Sequence, residues 1–310
     1  LKTRLTTMYS DNVENNNDSA TLNIGNCQDP GLWINSNGWH SGYGYGGNKN
    51  SITGSTFNPI GAAFAAVLGN AELYKIALGL KMTPFSERWF SMYDYGSCSS
   101  NPEQLSNPEI NYQYDLGIIF QIGCGAVGSS LAYLLRLTQW KGQIHYIDYD
   151  TVKIPNLSNS LLFTAEAALN NKCKAKICED FSNLSKLKAT HFKGSYGEYI
   201  NEYSRGNPDL ILCLANEQNI WFTIQSNYPP LVLHSTTTPN WGINFGRHIP
   251  MKEWCIMCRF HSEINKNYTP VCGESVTYKE DKNDTEIFGV LPFLSPSSAI
   301  MLMTELGRLA

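Results

Sequence analysis

Gly123-Cys-Gly-Ala-Val-Gly128 is the densest concentration of chemistry-bearing spacing in the chain. It has the form G-x-G-x-x-G, in which the first glycine permits a tight turn, the second lets a ligand approach the backbone, and the third allows a helix to pack closely on a strand. A helix opening at Ala126 and Val127 would present free N–H groups and the positive end of its dipole to a phosphate. Asp148, about 25 residues beyond the first glycine, has the type and spacing to accept a ribose hydroxyl. This motif alone does not separate ATP from a dinucleotide, so an NAD-dependent oxidoreductase stays open on these residues. A second group is formed by thiols. Cys255 and Cys258 have the two-residue separation of a zinc knuckle, and His261 and Cys272 follow closely enough to complete a four-ligand set. Cys272, in Val271-Cys-Gly-Glu274, is equally a candidate nucleophile, because a thiolate attacks acyl groups at neutral pH. It would not serve as both.

These residues need a scaffold, and the pattern around them supplies one. Leu116–Ile122 is a short apolar run of the kind a buried parallel strand shows. After the glycine turn, Val127–Trp140 has helical spacing, and Gln143–Asp150 reads as a second strand. Further strands are predicted at Asp209–Leu214 and Leu231–His234, with a closing helix over Ser297–Leu309. Alternation of strands and helices predicts an α/β sheet. Upstream, Pro59 and the run from Ile60 to Leu68 predict a helix, apolar on most faces and hence buried. Residues 1–58 are rich in Asn, Gly and Ser, with Asn12-Val-Glu-Asn-Asn-Asn-Asp18 and Gly42-Tyr-Gly-Tyr-Gly-Gly47, and predict a loop-rich extension. Residues 82–114 read as irregular chain.

Composition bounds the function. Of 310 residues, 42% are hydrophobic and 16% charged, which excludes a solvated disordered chain. The net charge of −4 provides no basic footprint for nucleic acid. No stretch offers about twenty uninterrupted apolar residues, so no membrane span is predicted. Nine cysteines is an odd number, and without a secretory leader pattern the reading is reduced cytoplasmic thiols. Cys124, inside the turn, and Cys213, in a predicted strand, are expected to be small buried hydrophobes.

The segment Asp148-Tyr-Asp-Thr-Val-Lys-Ile-Pro-Asn-Leu-Ser-Asn-Ser-Leu-Leu-Phe163 resembles the adenylation domain of the ubiquitin-activating (E1), ThiF and MoeB family, whose pattern is D-x-D-x-V-x-x-x-N-L-x-R-Q-x-L-F. Matches continue in order through Asn171-Lys-Cys-Lys-Ala175, Asp209–Asn216, Cys255-Ile-Met-Cys258 and Gly289–Glu305. The resemblance implies a Rossmann-like adenylation domain over 59–310 with a mixed, largely parallel sheet, a nucleotide-binding unit at 115–180 and a thiol-bearing segment at 250–290. It implies ATP and Mg2+ as cofactors, with Zn2+ a candidate on Cys255, Cys258 and His261. The expected reaction joins the C-terminal carboxylate of a ubiquitin-like protein to AMP, followed by a thioester on Cys272 and transfer to an E2-like protein. By the same resemblance, Gly123, Gly125, Ala126, Val127 and Gly128 cradle the nucleotide, Asp148 holds its ribose, and Asn156 lies on the phosphate side. Lys174 matches the phosphate lysine because Ala175 follows it. Lys172, at the usual distance from Asp148, is held in reserve. A homodimer or pseudo-dimer is expected.

The N-terminal stretch Asn58–Lys75 and Leu291-Pro-Phe-Leu are similar to E1-like proteins of bacterial operons associated with phage defence. Three positions depart from the family. Asn159 and Ser160 replace an arginine and a glutamine, and the Mg2+-binding aspartate falls at Ala215 or Asn216. Losing one electrostatic contact of this kind costs on the order of 100-fold in rate. Asp150, Asn216 and Arg247 are candidate substitutes. The alternative is an inactive pseudo-adenylation half that serves as a dimerisation scaffold for an active E1 subunit.

Overall fold

A computed structural model describes residues 21–26, 29–46, 57–78, 87–202, 207–215, 218–238, 242–256 and 291–310. The predicted α/β architecture is present. Strands β1 (Leu22–Ile24), β2 (Leu32–Asn37), β3 (His40–Tyr45), β4 (Glu87–Ser91) and β5 (Ser97–Cys98) make one sheet in that spatial order. A second sheet contains β6 (Asp115–Ile122), β7 (Lys141–Ile147), β8 (Leu187–Phe192), β9 (Leu210–Cys213), β10 (Val232–Thr237) and β11 (Ile243–His248). Its spatial order is β11-β10-β9-β6-β7-β8. Every pairing in it is parallel except that of β10 with β11.

The helices are α1 (Ile60–Ala77), α2 (Ala126–Leu135), α3 (Ala165–Leu169), α4 (Lys174–Ser182), α5 (Tyr196–Glu202), α6 (Gln218–Ser226) and α7 (Leu294–Leu309). Side-chain alternation along the strands sorts the second sheet's core into two layers. Ile119, Ile144, Tyr146, Leu187, Leu212 and Leu233 pack with α2, α4 and α7, whereas Phe120, Ile122, Ile147, Ile211 and Val232 pack with α5 and α6. A parallel sheet with both faces covered gives the continuous apolar runs read from the sequence.

Residues 22–45 differ from the loop expected of them. They contain three strands, and β4, at the start of the stretch read as irregular, pairs with β3. Packing outweighs composition here. Trp33, Trp39 and Trp89 are fully buried, and the Trp33 and Trp89 rings lie 5.8 Å apart. Gly42 makes this possible, since a methyl group there would come within 2.5 Å of the Trp89 ring. Helix α1 is buried on one side only: Ile60, Ala65, Val67 and Glu72 face inward, while Ala62, Ala66 and the last turn are exposed. Its start is fixed by Asn58, whose side chain accepts from Ile60 N at 3.0 Å. No helix among the described residues is long and apolar enough to cross a membrane.

Candidate functional site

The chain runs outward from β6 through β7 to β8, then returns to place β9 on the other side of β6. That reversal is a topological switch point, and outside the carboxyl ends of the strands flanking it is where open α/β sheets bind ligands. The glycine turn occupies this position. Gly123 has φ +95°, and a side chain there would come within 2.9 Å of Ala215 N, just past β9. A side chain on Gly128 would collide with Gly123 O, so this glycine seats α2 against the turn. Gly125 is the N-cap of α2 and makes no side-chain cap. Nothing lies within 4 Å of where its Cβ would be. A helix leaves its first N–H groups without intrahelical partners, here those of Ala126, Val127 and Gly128. They lie at the positive end of the helix dipole, and the space around the Gly125 Cβ position is open.

Asp148 follows β7 directly and is tied into the turn. Its Oδ2 accepts from Cys124 N at 2.6 Å, and its Oδ1 accepts from Asp150 N at 2.7 Å. Burial pushes its carboxyl above the usual range, against the opposing pull of these N–H groups and of Lys174. Each carboxylate oxygen has two lone pairs, so both can also accept a ribose hydroxyl.

The two candidate lysines occupy different environments. Lys174, at the start of α4, is buried and its Nζ lies 2.8 Å from Asp150 Oδ2. Its backbone N–H also bonds Asp150 O at 3.0 Å, and Val152 N donates to Lys172 O, so the 150–152 and 172–174 segments run side by side. Lys172 points away to an exposed pair with Glu166 at 2.9 Å. The structure therefore brings Asp148, Asp150 and Lys174 together with the turn, and leaves Lys172 apart.

Asn156 Oδ1 accepts from Lys153 N at 2.9 Å, which closes the short 3-10 turn Ile154–Ser158. Asn159 ends that turn. Ser160 ties the segment to α2, since its Oγ lies 2.8 Å from Ser129 Oγ and also accepts from Leu162 N and Phe163 N. Arg247 is exposed on the edge strand β11, three strands from β6 and in the register row of Gln121. At about 4.8 Å per strand its backbone is roughly 14 Å from the turn. Cys124 and Cys213 are buried as expected, and burial with the neighbouring Cys178 raises the Cys124 thiol far above its ordinary value.

Gln121 belongs to none of the motifs read from the sequence. It is fully buried at the end of β6 and donates from Nε2 to both Gly123 O and Gly128 O, each at 3.2 Å. The signal that could have found it is a single polar residue in the run Ile118-Ile-Phe-Gln-Ile122 directly before the turn.

Asn216, Cys258, His261 and Cys272 lie outside the described residues. Cys255 is described and half-buried. Among the described residues no group of three His, Cys, Asp or Glu is placed to hold a metal ion. For Mg2+, the described carboxylates near the turn are Asp148 and Asp150, each already accepting hydrogen bonds, and the Ala215 side chain has no ligand atom. These two carboxylates alone are fewer than the ligands a dedicated protein site for the ion would use.

No protein-family model matches the chain, and no curated protein does. Among solved structures, E. coli MccB with succinimide is 15% identical, with TM-score 0.43, over 62% of this chain and 56% of that one. The match thus spans little more than half of that protein's length. E. coli MccB with AMPCPP and MccA is 12% identical, with TM-score 0.46, over 90% of this chain and 88% of that one. PaaA is 15% identical, with TM-score 0.39, over 63% and 57%. These likenesses are distant, and the meaning of the site rests on its own geometry.

Proposed function

We propose that this chain is an ATP-dependent adenylating enzyme of the E1, ThiF and MoeB kind. The observation that carries the proposal is the uncapped N-terminus of α2, open above Gly125 and flanked by Asp148 at the sheet's switch point. The family resemblance of Asp148–Phe163 supplies the choice of ATP over a dinucleotide. In the reaction, a polypeptide's C-terminal carboxylate oxygen attacks the α-phosphorus and pyrophosphate leaves. Two anions must meet, so the free N–H groups of Ala126–Gly128 and the ammonium of Lys174 supply fixed positive charge along the phosphates. Asp148 orients the ribose. Because Lys174 and Asp150 are already paired, the ammonium is positioned before substrate arrives and little reorganisation is needed.

The finer reading takes a ubiquitin-like protein as the carboxylate donor. The Cys272 thiolate then attacks the acyl carbon, AMP leaves, and the acyl group passes to the thiol of an E2-like protein. ATP–pyrophosphate exchange tests the first step: exchange that depends on a ubiquitin-like protein with a free C-terminal carboxylate supports it, and none with active substrate proteins controlled for refutes it. A second reading is favoured by Asn159 and Ala215, which carry neither the family's cation nor its metal ligand. In it the chain binds ATP without turnover and serves as the scaffold half of a pseudo-dimer. ATP turnover by this chain alone, lost in Asp148→Ala, excludes it.

A further inference from the structure

A strand buried on both faces selects apolar residues, and β6 does so at Ile118, Ile119, Phe120 and Ile122 but not at Gln121. Gln121 lies on the α2 side of the sheet, beside Leu212 of β9 and Tyr146 of β7, where a leucine would pack well. Burying an amide is unfavourable unless its hydrogen bonds repay it. Its two hydrogen bonds reach the glycine turn, at the carbonyls of the first and last glycines. Its Oε1 is left without a partner among the described residues. Reversing the amide would set Oε1 against two carbonyl oxygens, so the orientation is fixed.

The peptide unit between Gly123 and Cys124 is therefore held from both sides. Gln121 donates to its carbonyl oxygen, and Asp148 accepts from its N–H at 2.6 Å. Gly123 has no side chain to resist rotation of this unit. A turned unit would swing its carbonyl oxygen away from the α2 interface and toward the switch point, presenting a partial negative charge where a phosphate is expected. It would also release Asp148.

We propose that Gln121 is a positioning residue for nucleotide binding: its amide and the Asp148 carboxylate clamp the Gly123–Cys124 peptide in the orientation that leaves the α2 N-terminus open to phosphate. This rests on the nucleotide reading of the site. Gln121 touches no substrate and acts through the turn. Leucine at this position would remove a buried unpaired acceptor, and one lost partner on a carbonyl is tolerated better than one lost on an N–H.

The test compares full-length wild type with Gln121→Leu in two measurements, amide hydrogen exchange by NMR without nucleotide and calorimetric titration with ATP. The expected result is a Cys124 amide that exchanges about 10-fold faster in the variant while strand amides of β6, β7 and β9 are unchanged, together with about 10-fold weaker ATP binding. Unchanged exchange at Cys124 overturns the proposal. So does acceleration of all core amides together, or failure of the variant to fold, since either makes the amide a folding device. Equal ATP affinity in both proteins overturns it alone and leaves the nucleotide site standing. A wild type that binds no ATP overturns the nucleotide reading and this inference with it.

Discussion

Replacing each of the two neighbouring lysines by methionine separates a positioned cation from a surface one. Lys174→Met keeps the length and most of the apolar stem but removes the ammonium 2.8 Å from Asp150. The lysine side chain is 10% exposed and the aspartate 45%, so the abandoned carboxylate can be rehydrated. The cost should therefore be that of a hydrogen bond to a charged group, about 1.5–3 kcal/mol, rather than the larger penalty of a fully buried pair. Lys172→Met removes a 2.9 Å pair whose members are 50% and 74% exposed. Such pairs contribute about 0–1 kcal/mol. Urea denaturation of both variants reads this difference as a shift in midpoint at constant slope. Activity should diverge further. Loss of a fixed charge beside the phosphates costs on the order of 100-fold in kcat/KM for pyrophosphate exchange. The Lys172 variant should stay within about twofold, since its ammonium faces Glu166 and solvent. If Lys172→Met lost activity and Lys174→Met kept it, the assignment of roles by burial would be wrong.

Three other outcomes are expected. Gly125→Ala should leave stability within about 0.5 kcal/mol, because its φ of −69° suits alanine and its surroundings are open, yet should weaken ATP binding by placing a methyl group where the phosphates approach; Gly128→Ala should instead destabilise by about 1–3 kcal/mol through its clash with Gly123 O. Asp148 holds its proton more tightly folded than unfolded, so its contribution to stability is fully present below its ordinary value of 3.8 and is lost as pH rises through the raised folded value. Urea titrations across that window should show a shallower fall in Asp148→Asn, and identical slopes would remove Asp148 from the titration. Cys272→Ala should spare pyrophosphate exchange and abolish any reducible thioester on non-reducing gels, and a surviving thioester would move the nucleophile to another cysteine.

How much of this was legible in the sequence follows from where burial is two-sided. Strands β6 and β9 lie inside the sheet and announce themselves as apolar runs, β7 and β10 only through Ile144-His-Tyr-Ile147 and Val232-Leu233, and α1 and α7 carry enough apolar length to be read. The edge strands escaped. β8, Leu-Lys-Ala-Thr-His-Phe, buries only alternate residues, and β11 is Ile-Asn-Phe-Gly-Arg-His with one polar side. The first sheet escaped for another reason: its glycines and asparagines read as loop, but Gly42 is small because a tryptophan ring lies over it. At the site, the glycine turn and Asp148 were legible because spacing alone encodes them. Between the lysines, the following Ala175 favoured Lys174 while distance from Asp148 favoured Lys172; their different burial depends on how the 150–152 and 172–174 segments pair, which spacing does not record. Gln121 was not read from the sequence: its only linear signal is one polar residue in an apolar run, and its two acceptors are set by the curvature of the turn.

The proposed joining of a carboxylate to AMP at the α2 N-terminus is tested most directly by oxygen transfer. A ubiquitin-like protein labelled with 18O at its C-terminal carboxylate is incubated with the chain, ATP and hydroxylamine, and the mass of the AMP formed is measured. Attack of the labelled oxygen on the α-phosphorus leaves one 18O in AMP when the acyl group is captured, so AMP should gain about 2 Da. AMP formed without label, or formed equally in the absence of the ubiquitin-like protein, would contradict adenylation at this site.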